Sequence, residues 1–188
     1  VKDDLTKGLQ IVQNVVGARS TLPILSNVLL IAGDKKLELR ATDLEVSIHA
    51  TLPANIEKEG ATTLPAKRMF GLIREIEAGE VEIEVNDKEI ATVQGGAAKY
   101  KLHGIGADEY PQQAKFKESG KIKMSQAKFR EMLRKTSFAV STDESRHVLN
   151  GIHVVMETER ITLVATDGRR LALVEEEVEG GTKGEIIV

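Results

Sequence analysis

Apolar residues enter this chain with a helical period. Leu5, Leu9, Val12 and Val16 stand at i, i+4, i+3, i+4 intervals, so they share one face of a predicted helix. After a loop the period drops to two. "NVLLIAG", "KLELRAT" and "EVSIHATL" read as successive strands joined by tight turns. The helical period returns from Ala66 in "AKRMFGLIREI", where Met69, Leu72, Ile73 and Ile76 form the apolar stripe. Two alternating strands follow, "EVEIEVN" and "EIATVQGG", and a third is read in "AKYKLHGI".

The opening pattern then recurs. Shifted by 124 residues without a gap, Leu5 falls on Phe129, Leu9 on Leu133, Val16 on Val140 and Leu25 on Leu149. The tripeptide Ala41-Thr42-Asp43 falls on Ala165-Thr166-Asp167. Only 8 of 64 overlapping positions are identical, yet the apolar phase survives across a helix, a loop and two strands. A period this long marks a duplicated domain rather than a solenoid unit of roughly 20–50 residues. The second copy is expected to start with a strand, "GKIKM", and a helix capped by Ser125 that buries Phe129, Met132, Leu133 and Thr136. Strands in "GIHVVME", "RITLVAT" and "RRLALVEEEV" follow, with Asp167-Gly168 as the hairpin turn. The predicted class is α+β, with helices on one face of antiparallel sheets.

A polar, proline-containing stretch from Gly106 to Gly120 separates the copies. It places a first domain at 1–112, a linker at 113–119 and a second domain at 120–188. Val188 falls on Leu64, and "GKIKM" has no counterpart ahead of Val1. Internal symmetry thus leads us to expect a fragment, short of a few residues in front and at least about 45 behind.

Composition narrows the chemistry. Apolar residues at 41% and charged residues at 29% are globular values. No apolar run nears the roughly 18 residues of a membrane span, and a cytoplasmic protein is expected. Cysteine is absent, so thiol catalysis and zinc–thiolate sites are excluded. None of His49, His103, His147 and His153 stands at a metal-binding spacing, and no phosphate-binding glycine motif occurs. "STDESRH" crowds Ser141, Asp143, Ser145 and His147 together, but a triad is assembled in space from distant segments. No catalytic residue, metal or cofactor is predicted.

A net charge of −3 argues against a protein that is basic all over, but not against local basic stripes. Projected as helices, the segments from Ser125 and Ala66 turn Arg130 and Arg134, and Lys67, Arg68 and Arg74, away from their apolar stripes. Lys7 does so on the first helix. Repeated basic helix faces point to a surface that meets nucleic-acid phosphates without reading sequence. The residues also leave open a duplicated α+β protein-interaction module without a DNA role.

Five stretches together carry a resemblance: "RSTLPILSNVLL", "ATDLEVSI", "DEYP", "FAVSTDESRHVLNGI" and "ATDGRRLALV". In order and spacing the chain resembles the bacterial replicative sliding clamps, the beta subunits of DNA polymerase III. The resemblance implies a non-catalytic processivity factor whose three-domain subunits pair into a homodimer ring around duplex DNA. It implies docking of short peptide motifs from the polymerase, the clamp loader and repair polymerases. By the same resemblance Arg19 joins the DNA-contacting set, and the peptide pocket takes Leu149, Thr166, Gly168, Arg169, Arg170 and Leu171. Lys99, Tyr100, Lys101 and Leu102 fall on the subunit contact, with Tyr100 and Leu102 expected to give apolar contacts to a partner. The loop Thr142–Val148 departs from the family pattern at Asp143, His147 and Val148. The pocket also has a local logic: a glycine turn admits close approach, Leu149 and Leu171 offer an apolar floor, and Arg170 can pair with a carboxylate or carbonyl.

Overall fold

The computed structural model describes residues 1–17, 22–112, 122–181 and 183–188. Its Cα geometry divides the chain into two units, residues 1–114 and 115–188. The linker expected at 113–119 lies outside the described residues.

The first unit opens with helix α1 (Lys2–Val12), a 3-10 turn (Pro23–Ser26) and strands β1 (Asn27–Gly33), β2 (Lys36–Thr42), β3 (Ser47–Pro53) and β4 (Gly60–Pro65). Helix α2 (Ala66–Glu75) and strands β5 (Glu82–Val85), β6 (Ile90–Gly95) and β7 (Ala98–His103) complete it. Two antiparallel sheets result, in the orders β3-β2-β1-β4 and β5-β6-β7. The second unit has helix α3 (Gln126–Thr136), a 3-10 turn (His147–Leu149) and strands β8 (His153–Met156), β9 (Arg160–Thr166), β10 (Leu171–Glu177) and β11 (Gly184–Ile187). Its sheet order is β10-β9-β8-β11.

The two four-stranded sheets are the same object displaced by 124 residues. The bounds of α3 are those of α1 plus that number. Leu30 faces Leu39 in the first sheet, and Val154 faces Leu163 in the second. Thr42 pairs with Ser47 where Thr166 pairs with Leu171, and Ala32 with Gly60 where Met156 pairs with Gly184. On the helix side of each sheet the apolar alternation closes a core. Leu9, Leu39 and Leu64 are buried in the first unit, and Met132, Leu163 and Ala165 in the second. No helix among the described residues is long and apolar enough to cross a membrane.

Departures from the expected elements have local causes. α1 ends at Val12, and Val15 and Val16 are buried from the turn that follows it. Gly8 is buried on the inner side of α1, where a Cβ would lie 2.9 Å from a Leu52 methyl. Glycine thus lets this helix sit close on β3, whereas Met132 fills the matching place under α3. Ser125 occupies the N-cap of α3 but makes no side-chain capping bond. Residues 62–65, "TTLP", lie outside the elements read from the sequence and belong to β4, and β11 lies outside them too. The expected strand "GKIKM" is reduced, among its described residues, to one bridge from Lys123 to Glu179.

On the side of the first sheet away from α1, a polar network ties the end of β7 back to β4. The Asn27 amide donates to Thr63 Oγ1 at 2.9 Å, and that hydroxyl donates to Ile105 O at 2.8 Å. Thr63 is 0% exposed, so neither bond has water as a substitute. Thr63→Val, which keeps the shape and removes both bonds, is expected to destabilise the protein by about 1–3 kcal/mol in urea unfolding. A change below about 0.5 kcal/mol would show that the network carries no weight.

Candidate functional site

The cations named from the sequence are best judged helix by helix. On α3 the side holding Met132 and Thr136 packs inward, and Arg130 and Arg134 are exposed with no salt bridge among the described residues. Lys135 pairs with Glu131 at 2.8 Å, and Lys128 reaches across to Glu176 on β10 at 3.3 Å. Two of the four α3 cations are therefore already matched. On α2, Lys67 and Arg68 are exposed at the first turn, while Arg74 meets Glu75 at 3.2 Å in a largely solvated pair. Lys67 and Arg68 line an open hollow of about 360 Å³ with Val16, Gly17, Ser26 and Pro65. Lys7 is exposed on α1, but Asp3 and Asp4 occupy that helix's first turn, so its face is not a basic stripe. Lys2, which sequence reasoning passed over, donates to Arg74 O at 3.0 Å and to Ile76 O, setting a cation at the carbonyl end of α2. Arg19 lies outside the described residues.

The repeated tripeptide forms the same turn twice. In the first unit Thr42 Oγ1 donates to Val46 O at 2.9 Å and accepts from Leu44 N at 3.0 Å. Asp43 Oδ1 accepts from Glu45 N at 3.0 Å and Val46 N at 2.7 Å. In the second, Thr166 Oγ1 donates to Arg170 O at 2.7 Å and accepts from Gly168 N at 3.1 Å. Asp167 Oδ1 accepts from Arg169 N at 2.9 Å and Arg170 N at 3.0 Å. The residue after each aspartate has positive φ, +83° for Leu44 and +86° for Gly168. Threonine and aspartate side chains here do the work of backbone partners in a tight turn. The Arg169 and Arg170 N–H groups, followed by the Arg170 guanidinium, hold the Asp167 carboxyl down to about 2. The Asp43 carboxyl is lowered too, chiefly by the Val46 N–H.

This turn presents most of the residues assigned to a peptide pocket. Gly168, Arg169, Arg170 and Leu171 are exposed, and Leu149 and Thr166 are half-buried. The Thr166 hydroxyl is committed, as donor and acceptor, to the turn itself. Asp167 Oδ2 accepts from Arg170 Nε at 2.9 Å, and the Arg170 guanidinium stands 5.7 Å from the centre of the Phe138 ring. Phe138, 58% exposed, was absent from the sequence-derived set. It lies just past α3, outside the helical stripe, where no periodicity marks it. Arg146 also arrives here: a Cβ on Gly168 would lie 3.2 Å from its Nη1. Three arginines, an aromatic ring and Leu171 thus gather on one turn and its flanks, and Leu149 stands three residues after Arg146 in the 3-10 turn His147–Leu149.

The "STDESRH" loop is satisfied within itself. Asp143 Oδ1 accepts from Ser145 N and Ser145 Oγ, and its other oxygen faces Arg146 Nε at 3.6 Å. The carboxylate is engaged by Ser145 and Arg146, which is a loop-closing arrangement and not an oriented base. Among the described residues no three His, Asp or Glu side chains are placed to hold a metal ion.

At the subunit-contact stretch the structure changes one expectation. β7 is an edge strand with Lys99, Lys101 and His103 exposed. Leu102 is only 2% exposed and Tyr100 packs against the same core, so the apolar side chains of this strand face inward. Among the described residues no strand pairs with its outer edge, so the strand offers outward that backbone edge and two lysines.

Two family models match the chain: the DNA polymerase III beta subunit N-terminal domain over residues 1–114, and the central domain of that subunit over residues 123–188. The chain is 33% identical to the beta sliding clamp of Chlamydia muridarum over 174 residues, covering 93% of the chain and 48% of that relative. It is 35% identical to that of Synechococcus elongatus, covering 96% of the chain and 49% of the relative. The crystal structure of the Bacillus subtilis DNA polymerase sliding clamp superposes with a TM-score of 0.95 at 28% identity, over all of this chain and 52% of that one. The Caulobacter crescentus clamp gives 0.92 at 34% identity, with the same coverage. The chain spans about half the length of the curated relatives it matches.

The turn predicts an acid-linked stability. Asp167 is lowered in the folded state to about 2, against about 3.9 for a free aspartate. The carboxylate form therefore stabilises the fold fully above the unfolded value, and that contribution is lost as pH falls through the folded one. The stability gap between wild type and Asp167→Asn is expected to be constant above about pH 5 and to narrow progressively towards pH 2. Parallel urea-unfolding curves for the two proteins from pH 5 to pH 2 would contradict this role.

Proposed function

Since the chain belongs to the DNA polymerase III beta-subunit family, we propose that the protein is a sliding clamp, a non-catalytic subunit acting in bacterial chromosome replication in the cytoplasm. In this reading its units at 1–112 and 120–188 form part of a homodimer ring that encircles duplex DNA. The observation that carries it is the doubled helix-on-sheet unit, with exposed cations on solvent-facing helix positions of an acidic protein. A ring holds DNA by topology, so each phosphate contact can stay weak and mobile, and sliding costs little. Lys67, Arg68, Arg130 and Arg134 are the strongest contact candidates. Lys7, Arg19 and Arg74 complete the set. Lys99 and Lys101 with the β7 edge are proposed as the homodimer contact, backed from inside by Tyr100 and Leu102.

The turn at Thr166–Leu171, with Leu149, is proposed as the seat of short peptides from the polymerase, the clamp loader and repair polymerases. Arg170 is the group that pairs with a peptide carboxylate or carbonyl, and Asp167 and Phe138 fix where its guanidinium points. Support for this comes from the exposure of Gly168, Arg169, Arg170 and Leu171 on that turn.

On the full-length protein, loading onto circular duplex DNA is expected to give retention that disappears once the circle is cut. Retention indifferent to cutting would favour an interaction module without a DNA role. Arg130→Glu with Arg134→Glu is expected to lower the slope of log affinity against log salt by about 1 per lost phosphate contact. Arg170→Ala is expected to weaken a clamp-binding peptide about tenfold in a titration. An unchanged affinity would remove Arg170 from the seat.

A further inference from the structure

The loop of residues 141–150, between α3 and β8, is built around one side chain. Two turns follow each other in it and share Arg146. Arg146 N donates to Asp143 O at 3.0 Å and closes the first, and Leu149 N donates to Arg146 O at 2.8 Å and closes the second. Both of these carbonyls converge, with Ser141 O, on one end of the Asn150 side-chain amide. A carbonyl oxygen only accepts, so the end that meets three of them is the nitrogen. Asn150 Nδ2 thus donates across the loop, with Asp143 O at 2.9 Å, Arg146 O at 3.2 Å and Ser141 O at 3.3 Å. Its two N–H groups serve three acceptors, so one is shared.

Asn150 reaches into the loop from a fixed point. Its own N–H donates to His147 O at 3.2 Å. The next residue is pressed against β11, where a Cβ on Gly151 would lie 2.6 Å from an Ile187 methyl. In the first unit Ser26 stands at the matching position, with no amide to offer. The consequence falls on Arg146. Its pairing with Asp143 is long, at 3.6 Å, with both side chains more than half exposed, so that ion pair alone holds it weakly. A long side chain loses rotamer freedom wherever it is held, so its direction has to come from the backbone that carries it. Here that backbone is clamped on both sides by the braced turns, and the guanidinium arrives at Gly168, where a Cβ would lie 3.2 Å from Nη1. The neighbouring groups have other anchors. Leu149 O accepts from Ser141 N at 2.9 Å, and Arg170 has Asp167 and Phe138.

We propose that Asn150 is a positioning residue for the peptide seat: its amide braces the two turns in the shape that presents Arg146 to acceptor groups of a peptide bound at the Gly168 turn. This role rests on the seat proposed above and adds the group that keeps Arg146 in place there. It depends on polarity more than on shape. Asn150→Asp keeps the outline of the side chain but sets a carboxylate oxygen against three carbonyl oxygens, so attraction becomes repulsion. Asn150→Ala removes the brace without adding charge. Asn150 is exposed, so neither change opens the core.

The test titrates full-length protein with a labelled peptide copied from the clamp-binding motif of the polymerase. Asn150→Asp and Asn150→Ala are each expected to weaken binding about fivefold and to speed hydrogen exchange at the Arg146 and Leu149 amides. A double-mutant cycle separates positioning from a general loosening of the unit. In protein already carrying Arg146→Ala, either change at Asn150 is expected to cost nothing further. In protein carrying Arg170→Ala, its full cost should remain. Three results would overturn the proposal: unchanged affinity in both Asn150 variants while Arg170→Ala weakens binding, a cost at Asn150 that adds in full to that of Arg146→Ala, or unchanged exchange at the Arg146 amide. A peptide that binds wild type and Arg170→Ala equally would instead remove the seat itself, and the role of Asn150 with it.

Discussion

A strand that slips by one residue carries its apolar side chains from the core to solvent, so every face in this protein depends on register. In both units register is fixed where the second and third strands of the sheet meet. A threonine hydroxyl there bonds across the hairpin and an aspartate carboxylate collects two backbone N–H groups. The bonds are strong enough to hold Leu44 at φ +83°, a conformation ordinarily left to glycine and costing a leucine about 1–2 kcal/mol. With register set, Leu39 and Leu163 fall under the helices, and Arg40 and Val164 fall on the far side. The same aspartate then has a second use in the second unit, because its other oxygen anchors Arg170. Fold and candidate site therefore share one carboxylate.

Charge is distributed with similar economy. A net −3 would repel an acidic polymer at long range, yet screening limits such fields to about 8 Å at physiological ionic strength. Within that range the local balance decides. At α3 it is set by Arg130 and Arg134, since Lys128 and Lys135 are matched by Glu176 and Glu131. At α2 it is set by Lys67 and Arg68 at the first turn. α1 contributes least, because Lys2 is spent on the carbonyls closing α2 and Asp3 and Asp4 partly offset Lys7. Equivalent helices in a duplicated fold need not carry equivalent fields.

Much of this was legible in the sequence, for reasons that can be named. Helices with one buried stripe and strands with one buried side announce themselves by period, so α1, α2, α3, β2 and β9 were readable. The tripeptide announced its turn. β4 was not readable because Thr62, Thr63 and Leu64 are buried in succession, covered on both sides, which erases alternation. β11 has the opposite trouble: its four residues are all exposed and give no contrast. Leu102 was misassigned although its parity was available, since Lys99 and Lys101 point out and Tyr100 and Leu102 must then point in. Phe138 and Arg146 reach the Gly168 turn only through tertiary structure, and no linear pattern could have supplied them.

The contrast between the two copies follows from which positions were constrained. The eight identities between them are Leu9, Val16, Leu25, Leu39, Ala41, Thr42, Asp43 and Gly60 with their counterparts. Most are buried, and Thr42 with Asp43 makes the turn. On the far side of the sheets, apart from that threonine, the strand positions named here have no identity in common: His49 faces Leu173, Arg40 faces Val164, Thr63 faces Ile187. A core position answers to packing against one helix, and that demand is the same in both units. A far-side position answers to whatever lies over it. Where Tyr110 and Ile105 lie over polar residues, the bonds are specific and the tyrosine hydroxyl has a carbonyl to find. In the second unit the matching positions hold Leu173, Val164 and Ile187, beside an ion pair of His153 with Glu185 at 3.3 Å. Duplication therefore kept the core and the turn, and let the far-side positions diverge.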